Sequence, residues 1–344
     1  MALGLGAGLI WEASATVYPP IVNPYGLPHM ILWWDFTDTT QLFQEVDSFT
    51  TAANSNNDKI GRVKNKAITD SSPLTQLIQN QDDFLGLFGR ADVDGKRPTF
   101  KTGGANGYGY AQFTASSSTH LYMKQASGFG VHTGTQLMDN PIFGHQWTMV
   151  IVAQADDNDT DGTEEHVWGW EATVDADTDK RIRVYESRED GSESGTAAHK
   201  IIINGDSTNN AYGATTTVDI QMANTTNTDM NTALEVRILS TTLAAVGNLG
   251  VAQRGLNSVG SLPAGYDLLA AAAGSNRTFT FEESTNNAGF AVGTSWTGGG
   301  LVGKYFDGKI YEVLMFRGAN SQDTCNGIAW YFKNKYGIDI SGAN

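Results

Sequence analysis

The residues best suited to chemistry by type and spacing lie in DDNDTDGTEE, residues 156–165. Asp157, Asp159 and Asp161 alternate and are followed by Gly162. Their carboxylates can therefore converge on one side of a tight loop and surround a calcium ion, with Glu164 or Glu165 completing a shorter loop between two strands. A helix-loop-helix calcium site carries an acid at its twelfth position, and Trp168 stands there, so the pattern is not an EF-hand. A second acidic loop follows at Asp175, Asp177 and Asp179. The opposing reading for both loops is a solvated hairpin tip.

Aromatic residues supply a second kind of chemistry, since a ring face stacks on the apolar face of a sugar. Tyr108, Tyr110, Trp168, Trp170 and Trp296 are the candidates for glycan binding. Trp168 and Trp170 share one strand face by the period of two. Core packing is the competing explanation for each.

Catalytic patterns are missing where they would be needed. A jelly-roll glucanase places its acids as E-x-D-x-x-E. Glu45 and Asp47 begin that pattern, but Thr50 stands where the third acid is required. No G-x-S-x-G occurs, and His29, His120, His132, His145, His166 and His199 show no H-E-x-x-H spacing. Cys325 is the single cysteine, so no intrachain disulfide forms, and it falls in an amphipathic helix where a buried thiol is expected. These patterns predict a protein that is not an enzyme.

The elements that must position these residues are mostly strands. WTMVIVAQA is apolar almost throughout, as a central strand covered on both faces would be. HMILWWDFTD, HVWGWEATV, KRIRVYESR, HKIIING, TALEVRILS, RTFTFEES and KIYEVLMF read as further strands between Gly, Asn, Asp and Thr turns. In the first of these, Trp33 and Trp34 point to opposite faces. SPLTQLIQNQDDFLGLFG and DLLAAAAG read as short helices, and AANSNNDKIGRVKNK as a polar loop. The chain then closes on one helix, with Ser321 as its N-cap, Asp323 in the first turn, Ile328 and Phe332 on one face, Lys333 and Lys335 in the last turn, and Gly337 in the left-handed terminal position.

Residues 1–29 differ from the rest. Glycines lead into Pro19, Pro20, Pro24 and Pro28, which block a helix and favour extended backbone. The segment nevertheless carries Leu3, Leu5, Leu9, Ile10, Trp11, Val17, Tyr18 and Tyr25. It reads as an extended arm that packs on its own domain or on a neighbouring subunit, the alternative being a frayed terminus. Residues 30–344 read as one all-β domain, a two-sheet sandwich with a C-terminal helix.

Composition sets bounds on partners. The chain of 344 residues has 40% hydrophobic and 17% charged residues, enough for a large core. A formal net charge of -15 repels nucleic acid and anionic lipid, so neither is an expected partner. The N-terminus has no basic start and its apolar run is broken by glycines, so it predicts neither a signal peptide nor a membrane span, and synthesis in a cytoplasm is expected.

YFDGKIYEVLMFRG followed by GIAWYFKNKYGI resembles the end of concanavalin A-like, laminin-G-like jelly-roll domains of the kind found in bacteriophage virion proteins. There a G-x-I-x-E-V strand precedes a helix ending in K-Y-G. Gly308, Ile310, Glu312, Val313, Lys335, Tyr336 and Gly337 carry the match. Upstream, WWDF, RPTF and WTMVIVAQ resemble the family's landmarks in order, over roughly residues 30 to 340. Two departures stand out: ANSQDT replaces the usual leucine-serine helix start, and residues 187–300 carry no landmark.

The resemblance implies a jelly roll that binds glycans, proteins or virion subunits. The expected function is a non-enzymatic virion structural protein, a capsid decoration or other particle-surface protein. Its arm would use Leu5, Leu9, Ile10, Trp11 and Tyr18 to anchor on shell or tail subunits, with homo-oligomers allowed. It would be made and assembled in a host bacterial cytoplasm. The alternative is a lectin-like adhesin, a tail or fibre component that binds host surface glycan with help from Ca2+ at Asp157, Asp159, Asp161 and Glu164.

Overall fold

The structure is a computed structural model, and it describes residues 21–27, 30–46, 49–67, 88–91, 93–124, 147–156, 165–173, 181–188, 199–205, 218–221, 234–245, 248–257, 268–269, 289–297, 300–301, 303–317 and 320–338. In chain order the strands are β1 (Met30–Asp35), β2 (Leu42–Phe43), β3 (Arg62–Lys64), β4 (Phe88–Arg90), β5 (Thr99–Lys101), β6 (Tyr110–Phe113), β7 (Leu121–Lys124), β8 (Trp147–Ala155), β9 (Glu165–Thr173) and β10 (Arg181–Arg188). They continue as β11 (His199–Gly205), β12 (Val218–Gln221), β13 (Glu235–Ala245), β14 (Asn248–Asn257), β15 (Leu268–Leu269), β16 (Gly289–Val292), β17 (Trp296–Thr297), β18 (Gly300–Leu301) and β19 (Gly308–Arg317), and the chain then forms helix α1 (Gln322–Tyr336).

The described strands build two large antiparallel sheets, which make a two-layer jelly-roll sandwich of all-β class, and β17 and β18 pair with each other as a separate two-stranded ribbon. The first has the order β15-β14-β13-β8-β19-β6-β5, with β1 also paired to β19. The second has the order β12-β11-β10-β9-β16-β7-β4-β3-β2. Trp34 of β1 meets Phe290 of β16 with ring centroids 5.4 Å apart, which joins the layers through the core. β8 lies between β13 and β19, as its continuous apolar run requires. Its Val150 and Val152 belong to the cluster under α1, while Met149 and Ile151 are equally buried on the opposite face.

Helix α1 covers the outer face of the first sheet. Cys325, Ile328, Ala329, Phe332 and Tyr336 pack on Val150, Val152, Val236, Ile238, Leu314 and Phe316. Burying each large side chain contributes about 1.5–3 kcal/mol. Ser321 caps the helix by accepting from the Thr324 N–H at 3.2 Å, and Gly337 ends it at φ 64°.

Three local expectations are corrected. Leu268–Leu269, expected in a helical turn, forms β15 against Val251 and Ala252. The open edge of β14 offers backbone hydrogen bonds that outweigh helix propensity. Arg62–Lys64, expected in a polar loop, forms β3 between β2 and β4, with Val63 fully buried. The expected helix SPLTQLIQNQDDFLGLFG ends in Phe88 and Gly89, which belong to strand β4 instead; the rest of it and the expected strand RTFTFEES lie outside the described residues.

Candidate functional site: a carboxylate-centred slot

Glu312 is the centre of the best-defined polar site. It owes its direction to a bulge in β19, where the register to β8 shifts between Ile310 and Glu312. The extra residue lets Tyr311 and Glu312 both reach the helix side, and a bulge commonly re-aims a side chain in this way. Tyr311 accepts from the Ala105 N–H at 3.0 Å. Glu312, with no exposed surface, accepts from four side chains. Tyr25 donates its hydroxyl to both oxygens at 3.0 and 2.9 Å, Trp33 donates Nε1–H at 2.9 Å, Lys335 donates Nζ–H at 2.5 Å, and Tyr336 donates its hydroxyl.

The elements around it follow from sequence pattern. Asp35 of β1 is the register partner of Glu312, so two buried carboxylates lie opposite each other on adjacent strands. Lys66 relieves this repulsion by binding Asp35 at 2.8 Å and Asp38 at 3.0 Å. Lys335 does the same for Glu312 from the last turn of α1. Its ammonium lies 5.3 Å from the ring centroids of Tyr25, Tyr108 and Tyr336, a favourable cation–π arrangement.

Residues 21–27 cross this site as a strap. The Val22 N–H donates to the Gly327 carbonyl at 3.1 Å, which ties the strap to α1. Asn23 accepts from the Tyr25 N–H at 3.0 Å and so shapes the Pro24–Gly26 turn. That turn presents the Tyr25 ring flat on Trp33, with centroids 4.1 Å apart and an interplanar angle of 12°. Tyr331 and Phe332 meet the same ring edge-on at 5.4 and 6.5 Å.

Burial sets the protonation chemistry. Desolvation first, then the Asp35 charge, pushes the Glu312 carboxyl up, against the pull of Lys335. Burial beside Glu312 also pushes the Tyr25 and Tyr336 phenols up, so both stay protonated donors. Burial alone would lower Lys66, but the Asp35 and Asp38 carboxylates outweigh it and raise it. Glu312 is covered and its lone pairs are engaged, so the arrangement suits fastening rather than general acid or base work.

The residues expected from sequence fall elsewhere. Trp168 is fully buried, which corrects its expected role as a sugar-stacking face. Its strand pairs with β16, and Trp168 lies opposite Val292, itself fully buried. The backbone of Trp170 pairs with Phe290. Tyr108 is half-buried and packs edge-on against Tyr336 at 5.3 Å, and Tyr110 tilts over Tyr311 at 5.4 Å. Both rings therefore serve the packing around α1. Asp157, Asp159, Asp161 and Glu164, the second acidic loop, and Leu5, Leu9, Ile10, Trp11 and Tyr18 lie outside the described residues. Among the described residues no group of three or more His, Cys, Asp or Glu is arranged to hold a metal ion.

Sequence reasoning missed Tyr25, Trp33, Asp35 and Lys66 as parts of one site. Its available signal was the closing motif, because Glu312, Lys335 and Tyr336 are the residues that meet in space. Two further buried polar pairs went unread: His166 with Ser295 at 2.6 Å, and Glu235 with Arg237 at 2.9 Å. Desolvation pulls the Arg237 guanidinium well down.

No family model and no curated protein matches the chain. Several solved structures are similar to parts of it. A variant of the NanB sialidase from Streptococcus pneumoniae has a TM-score of 0.38 at 9% identity, covering 63% of this chain and 27% of that one. The CBM40 of the Ruminococcus gnavus IT-sialidase, bound to α2,6 sialyllactose, has a TM-score of 0.35 at 12% identity, covering 60% and 96%. A GH54 α-L-arabinofuranosidase has a TM-score of 0.44 at 10% identity, covering 89% and 63%. This chain thus spans about a quarter of the sialidase, and at such scores what those proteins bind or cleave remains a property of those proteins.

Proposed function

We propose that the chain is a non-enzymatic structural protein of a bacteriophage particle, displayed at the surface and anchored by residues 1–20. The observation that carries this reading is the strap. Residues 21–27 are bolted to α1 and Glu312 immediately after the arm, so a pull on the arm is borne by the helix–sheet layer. The motif that resembles virion jelly rolls also supplies Glu312, Lys335 and Tyr336 to that fastening.

The test compares the full chain with a chain lacking residues 1–20, which keeps the strap. Both are followed by quantitative mass spectrometry on gradient-purified particles from the source. The expected result is incorporation of the full chain and its loss on truncation, with unchanged thermal melting. Equal incorporation of both chains, or absence of both from particles, overturns the reading. A copy number near that of the shell protein assigns a capsid decoration, and a small fraction assigns a tail or fibre part. A glycan array run on the same protein tests the lectin-like alternative, which no longer has Trp168 as a stacking face.

A further inference from the structure

A second polar surface lies on the outer face of the first sheet, beside α1 rather than under it. Phe100, Ala111, Ala155 and Ile310 are buried in the sandwich, so their neighbours along each strand project from the opposite, outer face. Strand registers and one bridge carry a row of them across that face: Lys59, Thr99, Gln112, Lys309 and Gln154. Lys59 is exposed and the other four are partly exposed, so the row is open to solvent. From Lys59 to Lys309 it steps over three strand spacings, about 14 Å. Two residues beyond Thr99, Lys101 lies opposite Tyr110, whose ring tilts over Tyr311 and closes the row on the side of α1. Lys59 donates to the Thr99 hydroxyl at 3.0 Å, and Lys101 donates to Asn57 Oδ1 at 2.5 Å. Neither has a carboxylate partner among the described residues. Lys309 meets Gln154 Oε1 at 3.4 Å and Asp156 at 3.3 Å, with its ammonium 5.8 Å from the Tyr110 ring centroid. Three ammonium groups thus have one carboxylate partner, in a chain with 37 acidic and 22 basic residues.

We propose that this row binds an acidic glycan, a chain of sugars that carry carboxylates. Lys59, Lys101 and Lys309 supply the complementary charge. Thr99, Gln112 and Gln154 add a hydroxyl and two carboxamides, groups that both donate and accept and so match sugar hydroxyls. Gln112 already donates to Asp156 and, at 3.3 Å, to the Gly308 carbonyl, which fixes its amide in the row. An extended acidic peptide would add itself at a strand edge, where open backbone groups receive it. This row instead crosses strands whose backbones pair with one another, so only side chains are offered to a ligand. The formal net charge of -15 does not cancel the attraction. At physiological ionic strength charges are screened beyond about 8 Å, so the lysines in contact with the ligand outweigh distant carboxylates. The site lies away from the strap and does not depend on the arm-anchored reading.

Calorimetric titration of the purified full chain with oligogalacturonate, up to about millimolar, tests this. The controls are the same oligomer as its neutral methyl ester, and poly-L-glutamate. The expected result is saturable binding of the acid form and little or none of the ester. Combining Lys59→Gln, Lys101→Gln and Lys309→Gln should weaken binding about tenfold, since three exposed charge contacts of modest strength are removed together. Arginine at the same three positions should retain binding, and the thermal midpoint of both triple variants should stay near that of the wild type. No binding of oligogalacturonate, equal binding of its ester, or equal binding by the glutamine variant overturns the proposal. Tighter binding of poly-L-glutamate also overturns it and assigns the row to an acidic polypeptide. The ester and polyglutamate arms use only wild-type protein, so misfolding of a variant does not blur the answer. Because no particle is involved, a chain that binds no glycan and still incorporates into particles sinks this inference alone. A glycan-binding chain absent from particles sinks the virion reading alone.

Discussion

At the scale of single residues, Glu312 has acceptors only and its four hydrogen-bond partners all donate to it. Glu312→Gln reverses half of that match, since a carboxamide offers one acceptor oxygen and turns an NH2 towards Tyr25, Trp33, Lys335 and Tyr336. Lys335, 13% exposed at its side chain, also loses its ion partner. The expected cost is about 3–5 kcal/mol in urea denaturation. Tyr25→Phe should cost less, about 1.5–3 kcal/mol, because the stack on Trp33 and the Glu312–Lys335 ion pair survive and only the hydroxyl's hydrogen bonds with Glu312 and Lys335 are lost. Equal costs for the two variants would show that the site depends on Tyr25 rather than on the carboxylate. Individual residues were only partly legible in the sequence. Glu312, Lys335 and Tyr336 stood out through the closing motif, whereas Trp33 offered two equivalent readings until β1 was paired.

At the scale of elements, α1 performs two tasks with two faces. One buries Cys325, Ile328, Ala329 and Phe332 against the sheet, and its end offers Lys335 and Tyr336 to Glu312. Phe332 connects the tasks, because it is fully buried and also meets the Tyr25 ring. Phe332→Ala should destabilise the domain by about 3–5 kcal/mol. It should also speed limited proteolysis within residues 21–27 more than elsewhere, which mass spectrometry of the fragments would reveal. A uniform increase in cleavage would mean that the strap is held independently of this contact. The bulge in β19 is a second element-level device. Its position was hidden in the sequence because KIYEVLMF is apolar at nearly every site, so period two has no phase to read.

At the scale of the molecule, the site links global stability to alkaline pH. Tyr25 and Tyr336 are raised above the ordinary tyrosine value of 10.0, so the fold keeps phenol protons that the unfolded chain releases. Their contribution is fully present below pH 10.0 and is lost as pH rises through the folded values. The thermal midpoint should therefore fall above that pH, and the fall should be shallower in a Tyr25→Phe, Tyr336→Phe double variant. Glu312 has the same sign in a lower window. It is raised from 4.5, so its proton-linked stability is present below that value and declines as pH rises through its folded value. Asp38 is lowered instead, and its contribution is lost on acidification. A melt that is flat above pH 10 would mean that the phenols ionise in place.

What the sequence by itself determined is the local and periodic part of the protein. Alternation and apolar runs announced β1, β8 and β19, with Trp33 and Trp34 on opposite faces, and Ser321 and Gly337 marked the ends of α1. These features depend on neighbours a few residues apart, so composition and spacing encode them directly. The tertiary structure alone decided that Tyr25 meets Glu312 across 287 positions, that Asp35 faces Glu312 across two strands, and that Trp168 is sealed in the sandwich instead of offered to a sugar. Such outcomes turn on which strands pair, in what register and with what bulge. A one-residue change in register would send each side chain to the other face, and no local pattern in this chain specifies that choice.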